Sequence, residues 1–286
     1  MASLRRLRFL AVGAAIVLLA IASAVLAPWL APHDPYLQAI SARLIPPVWD
    51  AGGSWSHPLG TDPLGRDLLS RIIYGAQVSI SAGALAVLVA MTLGVLMGLL
   101  AGYYGGGVDT IISNLVNVIL AFPFLLLALA AIAVVGPSFG NMIVVLGVTG
   151  WPVYTRVVRA ETLKYREREF VQAARALGLG SPRIIWAHVL PNLLNTIIVM
   201  ASLEVARMII LESFLSFLGL GIQPPIPSWG AMLGEGRVYM LTHWWLAAFP
   251  GLAIFITTLG INLFGDGLRD VLDPHRVLTP AGARTE

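Results

Sequence analysis

The sequence predicts an all-α integral membrane protein with six transmembrane helices. Three observations carry that reading. Apolar residues fill 57% of the 286 positions and charged residues only 12%, where a soluble domain carries about 25%. The apolar residues gather into runs long enough to cross a bilayer, for which roughly 20 residues suffice. The basic residues avoid those runs and sort by connecting segment, with most of them on alternate connections.

The first span is Phe9 to Ala31, preceded by Arg5, Arg6 and Arg8. A cleaved signal peptide has the same basic-then-apolar order, but its apolar core is about 7–15 residues. This run is longer, and cleavage would leave five spans with the chain ends on opposite sides, so a retained anchor is expected. The second span is Val78–Ala101, in a stretch without charge from Gly75 to Val108. Its glycines Gly94, Gly98 and Gly102 recur every four residues, the pattern of close helix packing. No charge interrupts Thr110 to Thr155, room for spans at 111–135 and 140–156. Gly136-Pro137-Ser138 supplies the turn between them, because Gly and Pro punctuate regular structure. The fifth span is Asn192–Phe214. The sixth is Trp244–Gly265, opening on Trp244 and Trp245 as interface anchors.

Six spans put both termini on one side, and the positive-inside rule identifies it. Seven basic residues lie between Arg156 and Arg183, and Arg269, Arg276 and Arg284 follow the sixth span. The opposite side carries only Arg43, Arg66, Arg71 and Arg237. Both termini and the 157–190 loop are therefore expected in the cytoplasm. The chain divides into a tail and anchor (1–31), an extracytoplasmic segment (32–76), a membrane core (77–265) and a cytoplasmic tail (266–286).

Composition excludes several function classes. There is no cysteine, hence no disulfide framework. A net charge of +3 without a clustered basic face does not suit nucleic acid. The only lysine, Lys164, sits between Leu163 and Tyr165 with no glycine run, so no phosphate-binding loop ends on it. The histidines His33, His57, His188, His243 and His275 show no metal-ligand spacing, and no nucleophile–base pair is visible. No catalytic residue, metal or cofactor is expected on this chain.

The candidate functional residues fall in three places. In the 157–190 loop, Phe170, Ala173, Ala174 and Leu177 share one helical face, with Gly178 where a helix ends in a left-handed turn. Ser181-Pro182 reads as the start of the next helix, serine at the cap. An amphipathic helix on lipid headgroups has the same periodicity, but its apolar face is built from large residues rather than alanines. Inside the membrane, where ionisable residues are costly, Glu204 and Arg207 stand at i, i+3 and Glu212 lies further on. Two readings are open for these: a polar path for a zwitterionic solute, or a neutralised pair between packed helices. Asn114, Asn117 and Pro123 join them as candidates in the third span. On the outer side, Asp62, Arg66 and Asp67 either coordinate a cation or fix their loop through turn hydrogen bonds and an ion pair. Leu68, Leu69, Ile72 and Ile73 form a stripe that suits a surface helix ahead of the second span. Pro224, Pro225 and Pro227 stiffen the last outer loop.

The run Gln172-Ala173-Ala174, Gly178, His188-Val189-Leu190-Pro191 resembles the cytoplasmic signature loop of bacterial ATP-binding-cassette importer permeases. Spacing agrees throughout, while Gln172 and His188 replace the pattern's glutamate and isoleucine. HPLGTDPLGRDLLSRIIYGAQVS (57–79), SFLGLGIQPPIPSWGAML (216–233) and GDGLRDVLDPH (265–275) resemble the subfamily importing dipeptides, oligopeptides and nickel, in particular its second permease subunit. The resemblance implies a type I importer permease in the bacterial inner membrane. It implies a homologous second permease, two cytoplasmic ATPase subunits that hold ATP and Mg, and an outer substrate-binding protein as partners. It implies that Gln172 to Gly178 forms a coupling helix seated in an ATPase groove, with His188, Leu190 and Pro191 completing the signature. An ion-driven secondary transporter would instead show discontinuous spans and an inverted internal repeat, and a non-transporting scaffold would leave Glu204 and Arg207 unexplained.

Overall fold

The computed structural model describes residues 2–272, with side chains from Arg8 onward. Arg276, Arg284, His275 and the end of the 266–286 tail lie outside the described residues. Among the described residues no strand forms; one isolated bridge pairs Thr61 with Asp67. The helices are α1 (Ala2–Val25), α2 (Ala27–Leu30), α3 (Leu68–Tyr104), α4 (Gly106–Ala121), α5 (Phe124–Val135), α6 (Phe139–Arg166), α7 (Glu169–Ala176), α8 (Ser181–Ile184), α9 (Leu190–Phe217), α10 (Trp229–Gly236) and α11 (Trp245–Leu272). A π turn, Ile185–Val189, joins α8 to α9.

The bundle is ordered α1 on α11, α11 on α9, α9 on α3, and α3 on α6, with α4 and α5 against α6. The tightest seam is α3 against α6, and the glycine ladder makes it. A methyl group at Gly98 would stand 2.7 Å from Cβ of Val158, and one at Gly102 would stand 2.6 Å from Cβ of Thr162. Absent side chains let the two backbones approach, as the four-residue repeat predicted.

Among the described residues four helical runs are long and apolar enough to cross a membrane: α1, α3, α8 through α9, and α11. The pair α4–α5 makes a fifth if its 90° bend counts as one broken span. Six straight spans were expected, and two of them differ. The 111–135 run breaks at Phe122-Pro123. Proline has no N–H and disfavours helical geometry in the residue before it, and Phe122 is extended at φ −91°, ψ 139°. The 140–156 run becomes the first part of α6, which continues to Arg166. This helix falls short in apolar character because Asn141, Thr149 and Pro152 dilute the run and Arg156, Arg159, Glu161, Lys164 and Arg166 charge its second half. Met142, Leu146, Trp151 and Tyr154 are buried within the bundle.

The stripe Leu68–Ile73 does not form a separate surface helix. It is the first two turns of the 37-residue α3, about 55 Å long at 1.5 Å per residue. Such a helix overruns a hydrocarbon core of about 30 Å and links the 32–76 segment to the 157–190 side. Gly136 has φ +89° and Ser138 caps α6 by accepting from Asn141 N at 3.1 Å, so the expected turn is present. Trp245 is not an interface anchor. It is buried against Leu68 and Met232 and donates to Thr61 O at 3.4 Å, while Trp244 stays exposed.

Candidate functional site

At one end of the bundle, α7 ends in a Schellman turn. Leu179 N donates to Ala174 O at 3.1 Å and Gly178 N to Arg175 O at 2.9 Å. Gly178 sits at φ +79°, which glycine adopts at no steric cost. The next helix takes Gly180 as its cap, one residue before the expected Ser181, which makes no capping bond.

The expected apolar face of α7 is in fact two faces. Val171 and Ala174 are buried, packed with Leu99 and Tyr103 of α3, Val158 of α6, and Ile184, Ile185 and Val189. Phe170, Ala173 and Leu177 point outward, Leu177 with 81% of its surface exposed. Ala173 and Ala174 therefore do not share a flat face. An eight-residue helix with apolar residues on two sides gives one side to its own bundle and leaves the other open. Arg175 fastens α7 to α3: its Nε donates to the Tyr103 hydroxyl at 3.3 Å and its guanidinium lies 4.9 Å from the ring centre. Gln172 is exposed and donates to Glu167 O at 3.3 Å. His188 is half-buried and its carbonyl accepts from Asn192 at 2.6 Å. Leu190 packs on the same cluster as α7, and Pro191 is exposed.

In the bundle, Arg207 Nη1 donates to Glu204 Oε2 at 2.8 Å, and its guanidinium lies 4.8 Å above the ring of Phe124. Phe124 opens α5 directly after the break at Pro123. Glu212 stands apart from this pair. It is fully enclosed, and its carboxylate accepts from Ser216 at 2.8 Å and Ser213 at 3.2 Å, so in this conformation it lines no open path. Asn114 is exposed. Asn117 accepts from Arg156 at 3.0 Å and borders a cavity of about 290 Å³ with Ser113, Thr155 and Arg159. Arg159 clasps Asp109 with both arms of its guanidinium, fixing α4 to α6.

At the other end, Asp62 builds the loop that precedes α3. One oxygen accepts from Leu64 N at 2.8 Å and Arg66 N at 3.0 Å; the other takes Arg66 Nε at 2.6 Å and Arg71 Nη1. Both arginines reach on to Glu235 of α10, at 3.0 and 2.8 Å. The network joins the 32–76 segment to the loop after α9. Asp62 is thus committed to turn bonds and ion pairs rather than a cation. Asp67 caps α3, accepting from Ser70 N at 2.8 Å.

The family described as binding-protein-dependent transport system inner membrane component matches residues 94–277. The chain belongs to that family. Residues 1–47 match a second description, the N-terminal transmembrane domain of oligopeptide transport permease C. The permease is 43% identical over 262 residues to the di/tripeptide transport system permease protein DppC of Pseudomonas aeruginosa, covering 92% of this chain and 86% of that one. It is 45% identical over 263 residues to the dipeptide transport system permease protein DppC of Escherichia coli K12, covering 92% and 88%. With the glutathione transport system permease protein GsiD of Pectobacterium atrosepticum it shares 44% over 258 residues, covering 90% and 84%. Among solved structures it resembles a chain of the inward-facing MetNI methionine ABC transporter, with TM-score 0.59 at 18% identity, covering 72% and 98%. That likeness establishes the fold: the permease has type I importer architecture, and its family is a membrane-spanning transport component.

Three features of this permease escaped sequence reasoning. Tyr103, the seat of Arg175, lies 72 residues from it, and Glu235 lies 169 and 164 residues from its partners Arg66 and Arg71, beyond any local pattern. His33 and His57, read as scattered, lie side by side with ring centres 4.8 Å apart.

Proposed function

We propose that this chain is the second, C-type permease of an ATP-driven importer of short peptides. It pairs with a homologous permease, two cytoplasmic ATPases that hold ATP and Mg, and an outer binding protein. The carrying observation is α7: a short helix with Phe170, Ala173 and Leu177 open to the outside, whose inner face sits on α3, α6 and the start of α9. An ATPase seated on the outer stripe would pull on three long helices at once. The relatives named for di-, tri- and D,D-dipeptides and for glutathione share a short peptide as solute, which supports that substrate class. Both termini and α7 lie on the cytoplasmic side in this reading, and α6 together with the α4–α5 pair brings the spans to six.

In this mechanism ATP-driven closure of the ATPase pair favours one state of the permease through differential affinity. Glu204 and Arg207, paired beside the break at Pro123, face a zwitterionic peptide as it passes. Catalysis stays with the partner subunits, since this chain offers no phosphate loop.

Reconstitution with the partner subunits tests the reading. Gly178→Val meets no neighbouring atom but cannot hold φ +79° without strain. ATP hydrolysis should continue while labelled dipeptide uptake falls. Normal uptake in that variant would count against the role of α7.

A further inference from the structure

Where α3 begins, His33, His57 and Asp67 bring one ligand atom each to within 4.8 Å of one another. Asp67 Oδ1 lies 2.9 Å from His57 Nδ1 and 3.8 Å from His33 Nδ1. A tetrahedral ion with bonds of about 2.0–2.1 Å separates its ligands by roughly 3.3 Å, a value these two distances bracket. From this we propose a divalent transition-metal site of two imidazoles and one carboxylate, which clamps the segment after the first span onto the start of α3.

Four further observations support it. His33 Nδ1 is buried and has no hydrogen-bond partner in the protein, an exception for an enclosed polar atom. Asp67 is buried, and its ion-pair partners among the described residues are only the two imidazoles. The arginines nearby are committed elsewhere, Arg66 and Arg71 to Asp62 and Glu235. A buried carboxylate needs a compensating cation, and two imidazoles packed at 4.8 Å repel when both are charged. Neutral imidazoles with a bound dication satisfy both demands.

The outer shell is also in place. The Ser70 hydroxyl donates to Asp67 Oδ2 at 2.7 Å and accepts from His33 N at 3.0 Å. It aims Oδ1 at the imidazoles and ties one ligand's backbone to another ligand's side chain, the second-shell arrangement typical of metal sites. The donors, two nitrogens and one oxygen, suit Zn²⁺, Co²⁺ or Ni²⁺ over Ca²⁺ or Mg²⁺, which prefer all-oxygen shells. The His33 ring is a third exposed while its Nδ1 is buried, so the site lies just inside the protein surface. The site is at the opposite end of α3 from α7, so its test does not depend on peptide import.

The experiment uses the full chain in lipid nanodiscs, stripped of metal and titrated with Co²⁺, then Zn²⁺. One equivalent of Co²⁺ should give the intense visible bands of a four-coordinate ion and should be displaced by Zn²⁺. His33→Gln and His57→Gln should each weaken binding by about tenfold or more and abolish the rise in Tm that Zn²⁺ gives the parent chain. His33→Gln guards against misfolding, because that ring is partly exposed. Binding as strong as the parent chain's in either variant, or no Co²⁺ bands in the parent chain, would overturn the site.

Discussion

Arg71, in the first turn of α3, reaches Glu235 of α10 at 2.8 Å while the same Nη1 donates to Asp62. Two carboxylates and, with Arg66, two arginines thus balance charge where the 32–76 segment meets α10. Asp62, Arg66 and Arg71 are buried, whereas Glu235 is a third exposed.

That asymmetry sets an order among variants. Asp62→Asn keeps one oxygen for the two backbone N–H groups but puts an NH2 donor where the other oxygen takes both guanidinium groups, leaving two buried cations facing one partly exposed carboxylate. It should cost roughly 3–5 kcal/mol, the cost of breaking a buried pair. Glu235→Gln leaves Asp62 in place and water nearby, so about 1 kcal/mol is expected. Thermal melts of the detergent-solubilised chain decide it; equal losses would mean that the network is not organised around Asp62.

The α3–α6 seam gives a steric test. Gly98→Leu places its first carbon 2.7 Å from Val158 Cβ. Either helix must move, at a cost of about 1–3 kcal/mol for overpacking. Gly107, with nothing within 4 Å of an added methyl, is the control. Gly107→Ala should leave the melting temperature unchanged or raise it, because alanine is the better helix former.

How much was legible follows from the range of each cause. The glycine ladder, the Gly136–Ser138 turn and the left-handed Gly178 are local rules, and the sequence states them openly. The bend at Pro123 was also written locally, but the apolar run around it reads as one span when only hydropathy is counted. Periodicity found α7 yet misjudged its faces. Phe170 and Val171 are both apolar, and only the packing of Leu99 and Tyr103 decides which turns inward. Glu235 and the His33–His57 pair depend on chain segments meeting in space, and no spacing rule reaches that far.

Glu204 and Arg207 separate two roles by their response to joint removal. If the pair only neutralises itself between helices, Glu204→Gln and Arg207→Met should each destabilise, and the double variant should recover most of the loss. If the pair faces a passing zwitterion, the double variant should recover stability but not dipeptide uptake. We expect the second pattern, read from melts and uptake of the same four proteins.

The two faces of α7 give the sharpest contrast. Val171→Glu puts a charge into an apolar cluster that joins α3, α6 and the start of α9. Burying an unpaired carboxylate is costly enough to disrupt packing, so this variant should lower the melting temperature by several degrees. Leu177→Glu changes a side chain that is 81% exposed, so the fold should tolerate it. If the outer stripe of Phe170, Ala173 and Leu177 is seated in an ATPase groove, the same change buries a charge at that contact. The ATPase subunits should then no longer co-purify with an otherwise stable permease. If α7 instead lies on lipid headgroups, Leu177→Glu should leave the ATPase attached and weaken only the binding of an isolated α7 peptide to anionic vesicles. The pull-down and the vesicle assay give opposite answers, and the docking reading stands on the first.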